Sequence, residues 1–124
     1  MLLNDNSRNL FEKKLLLLIH HHADVDAVAS AIALQTVFKD AVICAPDRVS
    51  SHGQKIAEFN EAEILMNSPE EWGGTVVVLD SPNPEHCSPV PKTKHMIVID
   101  HHTKIEGWDA VSYTHLTLPT IAVV

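Results

Sequence analysis

The feature that most constrains this chain is a set of three short, unbroken apolar runs: LLLLI at 15–19, TVVVL at 75–79 and MIVI at 96–99. A strand with one wet face alternates apolar and polar residues, so an unbroken run bounded by polar residues fits a strand buried on both faces of a parallel sheet. The first run follows Lys13 and Lys14 but ends in three histidines, and it is too short for a membrane span or a secretion signal. Each run is followed by acidic or imidazole side chains. His20, Asp24 and Asp26 come after the first, Asp80 after the second, and Asp100, His101 and His102 after the third.

Between the runs the pattern turns helical. Residues 26–38 place Ala27, Val28, Ala31, Ile32, Leu34, Gln35 and Phe38 at helical spacing, with carboxylates at the start where free amides and the helix dipole favour negative charge. The unit repeats more weakly as a short strand at 41–45, a break at Pro46 and Asp47, and a helix at 51–59. Residues 62–66 fit a short strand or a helix end, while 67–74, with Pro69 and the pair Gly73 and Gly74, reads as a connecting turn. Strands alternating with helices predict an α/β domain, an open parallel sheet with flanking helices. Residues 1–13 read as a polar lead-in and 14–110 as the domain. Residues 111–124 contain no acidic residue and no Lys or Arg, and read as a β-prone tail without a partner strand.

A length of 124 residues suits one domain, and nine Lys plus Arg against sixteen Asp plus Glu give a formal charge of −7. That balance argues against a broad basic face for duplex DNA, and leaves phosphate chemistry through metal ions open. Cys44 and Cys87 lack CxxC spacing, so neither a disulfide scaffold nor a thiolate zinc site is indicated; reduced thiols and no targeting segment point to the cytoplasm.

In open parallel sheets ligands bind beyond the carboxyl ends of the strands, so the three clusters are expected to converge. Crowded carboxylates repel one another unless a cation holds them. Imidazole with carboxylate and no thiolate suits Mn²⁺, with Zn²⁺, Co²⁺ or Mg²⁺ as alternatives. Two such ions about 3.5–4 Å apart activate a hydroxide and stabilise the leaving oxygen in phosphoryl hydrolysis. Blander uses compete at each position. Asp24 or Asp26 alone would serve as a helix cap, and Asp80 alone as a turn residue before Ser81 and Pro82. His21 and His22 match no ligand role, Ser30 reads as a small helix residue beside the site, and His52, His86, His95 and His115 read as surface histidines. Trp72 and Trp108 are able to stack a base, but plugging the edge of a core is the commoner use.

Taken together, HHHADVDAVAS at 20–30 resembles the first motif of the DHH phosphoesterases, a His followed by Asp at plus four and plus six and a small-residue helix. Asp80 closing VVVLD resembles the second motif, and Asp100-His101-His102 the third, so the resemblance runs in order across 14–110. It implies metal-assisted hydrolysis by two divalent metal ions, foremost Mn²⁺. His20 and Asp24 would hold one ion, Asp26 the other, with Asp80 bridging and His101 completing the second set. His102 would be a phosphate contact or proton donor, and Asp100 would sit at the metal site or orient an imidazole. The implied substrate is a nucleotide or short oligonucleotide phosphodiester or phosphomonoester, and the partners are a phosphate-containing small molecule or short single-stranded nucleic acid, with no membrane. The family also includes manganese-dependent pyrophosphatases, which makes phosphoanhydride hydrolysis an alternative, and a catalytically silent regulatory or nucleic-acid-binding module is another. A dinucleotide-binding domain is disfavoured because no GxGxxG follows the first strand. Two departures from the family pattern stand out: its further acidic ligand and its glycine-rich substrate domain come downstream of DHH and are not found here. The tail VSYTHLTLPTIAVV resembles translated sequencing-adapter read-through, so the expectation is a truncated gene product of low activity.

Overall fold

The four leucines of β1 (Leu15–Leu18) are all buried because this strand lies in the middle of a sheet, bonded in parallel to β3 (Val42–Cys44) on one side and β6 (Thr75–Leu79) on the other. The computed structural model describes residues 12–20, 22–79, 85, 87–100 and 114–117. Beyond β3 lies β5 (Ile64–Leu65); beyond β6 lie β7 (His95–Asp100) and then β8 (Thr114–Thr117). The six strands run in the order β5-β3-β1-β6-β7-β8, and every pairing is parallel. The expected open parallel α/β sheet is therefore what forms. A separate two-stranded pair joins β2 (His22–Ala23) to β4 (Arg48–Val49).

Strand periodicity sorts the apolar runs into two cores. Leu15, Leu17, Ile19, Ile43, Val77, Leu79, Ile97 and Ile99 point to one face, where Ala27, Val28 and Ala31 of α1 (Val25–Val37) and Ala57 of α2 (Ser51–Phe59) cover them. Leu16, Leu18, Cys44, Val76, Val78, Met96 and Val98 point to the other, packed with Cys87 and, at its margin, Trp72 and Val90. Small residues on the inner side of α1 let the helix lie close to the sheet. Where the two helices meet, Gly53 leaves little room for a side chain: an added Cβ would stand 3.0 Å from Val49 and 3.1 Å from Val28, so those side chains would have to shift by a few tenths of an ångström.

The helices expected at 26–38 and 51–59 form as α1 and α2, and 62–66 resolves to a strand. One expectation is overturned. The tail expected to lack a partner strand has one: β8 lies within it and adds to β7 in parallel, from Ile97 opposite Thr114 to Asp100 opposite Thr117. A parallel return needs a connection of about a dozen residues, and the stretch 101–113 supplies that length. The lead-in at 1–11 lies outside the described residues.

Leu17 is fully buried between two strands and beneath the helices. Leu17→Ala should lower stability by about 2–5 kcal/mol, as buried leucine truncations do. Val37→Ala, at a position 70% exposed, should shift it by no more than about 0.5 kcal/mol. Urea unfolding of the two variants beside the parent checks both values.

Candidate functional site

Strand order locates the crevice. From β1 the chain moves outward to β3 and β5, then crosses back past β1 to β6 and continues outward to β7 and β8. Neighbouring strands β1 and β6 thus send their connections in opposite directions, and in open α/β sheets ligands bind beyond the carboxyl ends at such a reversal. Registers carry the argument further. Leu18 is opposite Val78, and Val78 is opposite Val98. His20, Asp80 and Asp100 each stand two residues further along their own segment of the sequence.

The first motif is held where it leaves the sheet. Ile19 still donates its N–H to the Cys44 carbonyl at 3.0 Å, and the chain then departs at His20. The β2–β4 pair sets His22 opposite Arg48 and Ala23 opposite Val49, and the Ser50 N–H donates to the Ala23 carbonyl at 2.8 Å. Both helices start at this edge. Asp24 is the N-cap of α1, its Oδ1 accepting the Ala27 N–H at 2.9 Å, and the Ser50 hydroxyl caps α2 by accepting the Gly53 N–H at 3.0 Å. Two helix amino termini add partial positive charge beside the crevice, which favours bound anions.

Of the residues expected to bind metal, His20 and Asp24 are brought together. His20 Nε2 lies 4.0 Å from Asp24 Oδ1, with the imidazole 21% exposed and the carboxylate 58%. Two donor atoms on one tetrahedral ion, each at about 2.0–2.2 Å, stand about 3.3–3.6 Å apart, so the pair is near the spacing of a shared ion and would close by a few tenths of an ångström to hold one. Asp26 is exposed in the first turn of α1. Among the described residues no third His, Cys, Asp or Glu completes a metal-holding group with the pair. Asp80, His101 and His102 lie outside the described residues; Asp100 ends β7, and only its backbone is described.

Helix capping by Asp24 is thus an observed contact, and it is compatible with ion binding because a carboxylate has two oxygens and about four lone-pair sites. Burial pushes the Cys44 thiol up, with the Ser68 hydroxyl at 3.6 Å drawing it partly back; Cys44 faces the second core, away from His20 and Asp24. Arg48 and Ser50 belong to no motif in the sequence. Their only signal was a break at Pro46 and Asp47, and it is the β2–β4 pairing that brings them to the histidine-rich loop. Arg48 faces solvent, with Nε 3.7 Å from Asp47. Of the residues read as surface histidines, His52 is exposed, but His95 is half-buried at the start of β7, because a strand start is covered by its neighbours.

A profile of the DHH family, N-terminal domain, matches residues 14–119. The chain belongs to the DHH family. No curated protein matches it significantly. The match runs past Ala110 and takes in β8, so the strand that completes the sheet lies inside the DHH-family region. As a DHH domain the chain is a hydrolase of the phosphoesterase type. Among the described residues no helix is long and apolar enough to cross a membrane.

The two roles of Asp24 are separable by substitution. Asp24→Ala should lower stability by about 0.5–2 kcal/mol through loss of the cap, while Asp24→Asn keeps a capping oxygen and should stay within a few tenths of the parent. Thermal unfolding in EDTA measures the cap alone. An Asn variant as unstable as the Ala variant would show that the carboxylate charge, and not the cap, supports α1.

Proposed function

We propose that this DHH-family chain is a two-metal phosphoesterase domain acting on a nucleotide or short oligonucleotide phosphodiester or phosphomonoester. One observation carries the reading: three strands locked in a common register around the reversal of strand order lead to His20 and Asp80 and end in Asp100. A register of that kind aligns sequence positions to within one residue, which is the tolerance that shared ion binding demands.

In this proposal His20 and Asp24 would hold one divalent ion, Asp26 and His101 would hold the other, and Asp80 would serve both. When bound, the ions supply an activated hydroxide and neutralise charge on the leaving oxygen. The chain's own residues do the rest. The Ala27 N–H holds Asp24 Oδ1 in a fixed orientation, so the carboxylate is set before an ion arrives. The β2–β4 pairing fixes the loop after His20 against Arg48, whose guanidinium offers a fork of donors to a substrate phosphate. The amino ends of α1 and α2 favour the same anion. His102 would donate a proton or contact phosphate, and Asp100 would sit at the metal site or orient an imidazole. A cytoplasmic setting belongs to the same proposal, in keeping with a chain that has two cysteines without CxxC spacing.

Imidazole ligands favour Mn²⁺ over Mg²⁺, since Mg²⁺ prefers an all-oxygen octahedron. Calorimetric titration of the chain should therefore give tighter binding of Mn²⁺, and Asp80→Asn should weaken it by about tenfold or more, the scale on which lost ligands and their supports act. If the Asn variant takes up Mn²⁺ as well as the parent, the bridging role of Asp80 is wrong. Selectivity for Mg²⁺ would remove the imidazoles from the ligand set.

A further inference from the structure

The amino edge of the sheet, remote from the crevice, carries features that the DHH chemistry does not use. Trp72 and Gly73 lie just before β6, and Lys92 to Lys94 lead into β7; between them, with Glu71 and His95, they line a cavity of about 500 Å³. β7 alone spans six residues, so at about 3.3 Å per residue this cavity lies on the order of 16–20 Å from the carboxyl edge. It is a separate place.

The cavity walls are tied down before any ligand arrives. Trp72 donates its backbone N–H to the Lys92 carbonyl at 2.9 Å, and Lys92 donates to the Glu70 carbonyl at 2.9 Å, forming a parallel bridge between the two strand-leading segments. The Thr93 hydroxyl accepts the His95 N–H at 3.2 Å and lies within hydrogen-bond distance of the Gly74 and His95 carbonyls. The indole is fixed as well, its Nε1 donating to the Lys14 carbonyl at 3.1 Å while the Lys14 ammonium stands 5.9 Å from the ring centroid. Gly73 is exposed with open space where a side chain would be, so the backbone there is approachable.

Its chemistry is specific in kind. In a chain of charge −7, Lys92 and Lys94 are exposed on this wall, and among the described residues neither is in an ion pair. They offer charged donors to an anion. A half-buried, immobilised indole offers an aromatic surface for a planar ring. Glu71 is the one carboxylate in the lining, an acceptor for hydroxyl or amino hydrogens. A bare phosphate would leave most of the volume empty, whereas small organic ligands occupy cavities of about 300–1,000 Å³. We propose that this amino-edge cavity binds a phosphorylated nucleoside, with the phosphate on Lys92 and Lys94, the base on Trp72, and a sugar hydroxyl or base amino group on Glu71. The site is distinct from the crevice and needs no metal.

Trp72 is one of two tryptophans, so the test uses the 124-residue chain carrying Trp108→Phe, titrated with AMP in EDTA and followed by tryptophan fluorescence. Saturable quenching is expected, with adenosine and inorganic phosphate each binding more weakly than AMP. Lys92→Glu with Lys94→Glu should weaken binding by about tenfold or more, the scale of losing charge-assisted hydrogen bonds. Arginine at both positions should preserve it, and His20→Ala, at the other edge, should leave it unchanged. Should the double glutamate variant fail to fold by circular dichroism, Lys94→Gln alone serves, with the same direction of effect. A 5′-phosphorylated tetranucleotide distinguishes the source of the ligand: binding tighter than AMP identifies a strand end, and binding no tighter identifies a free nucleotide. Absence of quenching in the folded chain overturns the proposal. So does equal binding by the charge-reversed variant, phosphate alone binding as tightly as AMP, or loss of binding in His20→Ala, which would place the nucleotide in the crevice.

Discussion

Everything in this molecule hangs on the burial of β1 from both sides. Its four leucines have no accessible polar face, so the strand is stable only with a neighbour on each edge and a layer on each face. β3 and β6 satisfy the backbone; the helices cover Leu15 and Leu17, and the second core takes Leu16 and Leu18. Each fully buried leucine contributes about 1.5–3 kcal/mol relative to exposure, and an unpaired buried amide would cost a comparable amount. Central placement follows from those magnitudes, and with it the reversal of strand order that opens a crevice beside His20.

The crevice also shows how one side chain meets two demands. Asp24 must start a helix and face an imidazole, and a carboxylate has enough lone pairs for both. Position decides which demand is visible. With His20 on one side and the Ala27 N–H on the other, the carboxylate is oriented by the fold, so an ion bound there would meet a donor already in place. The β2–β4 pair extends that order to the loop itself, since a short strand pairing ties the histidine-rich segment to the start of α2.

Parallel strands give the sheet two unlike ends. At the carboxyl edge the chain turns into helices through polar loops rich in Asp and His, and helix amino termini face the same way. At the amino edge the chain enters strands from loops that carry Lys14, Lys92 and Lys94 around Trp72. These three lysines are thus displaced from the crevice by roughly the length of a strand, beyond the Debye length of about 8 Å at physiological ionic strength, so each edge is able to present its own charge to solvent.

Features that depend on neighbours along the chain are written in the amino-acid order alone. Unbroken apolar runs identified β1, β6 and β7, helical spacing with an acidic start identified α1, and 51–59 was legible as α2. The DHH motifs were legible too, because their spacing is local and the family profile recognises the same stretch. Other features depended on distance through space. Strand order, the register that aligns Leu18, Val78 and Val98, and the β2–β4 pair that brings Arg48 to the first motif are all pairings between segments far apart in sequence. The same holds for β8, which as an isolated segment had no partner and acquired one only because β7 leaves an open edge. Trp72 sits in a stretch that reads as a connecting turn, and nothing local links it to Lys92. Only the bridge between the segments leading into β6 and β7 sets them around one cavity, since a backbone hydrogen bond across the sheet costs nothing in sequence pattern and leaves no trace there.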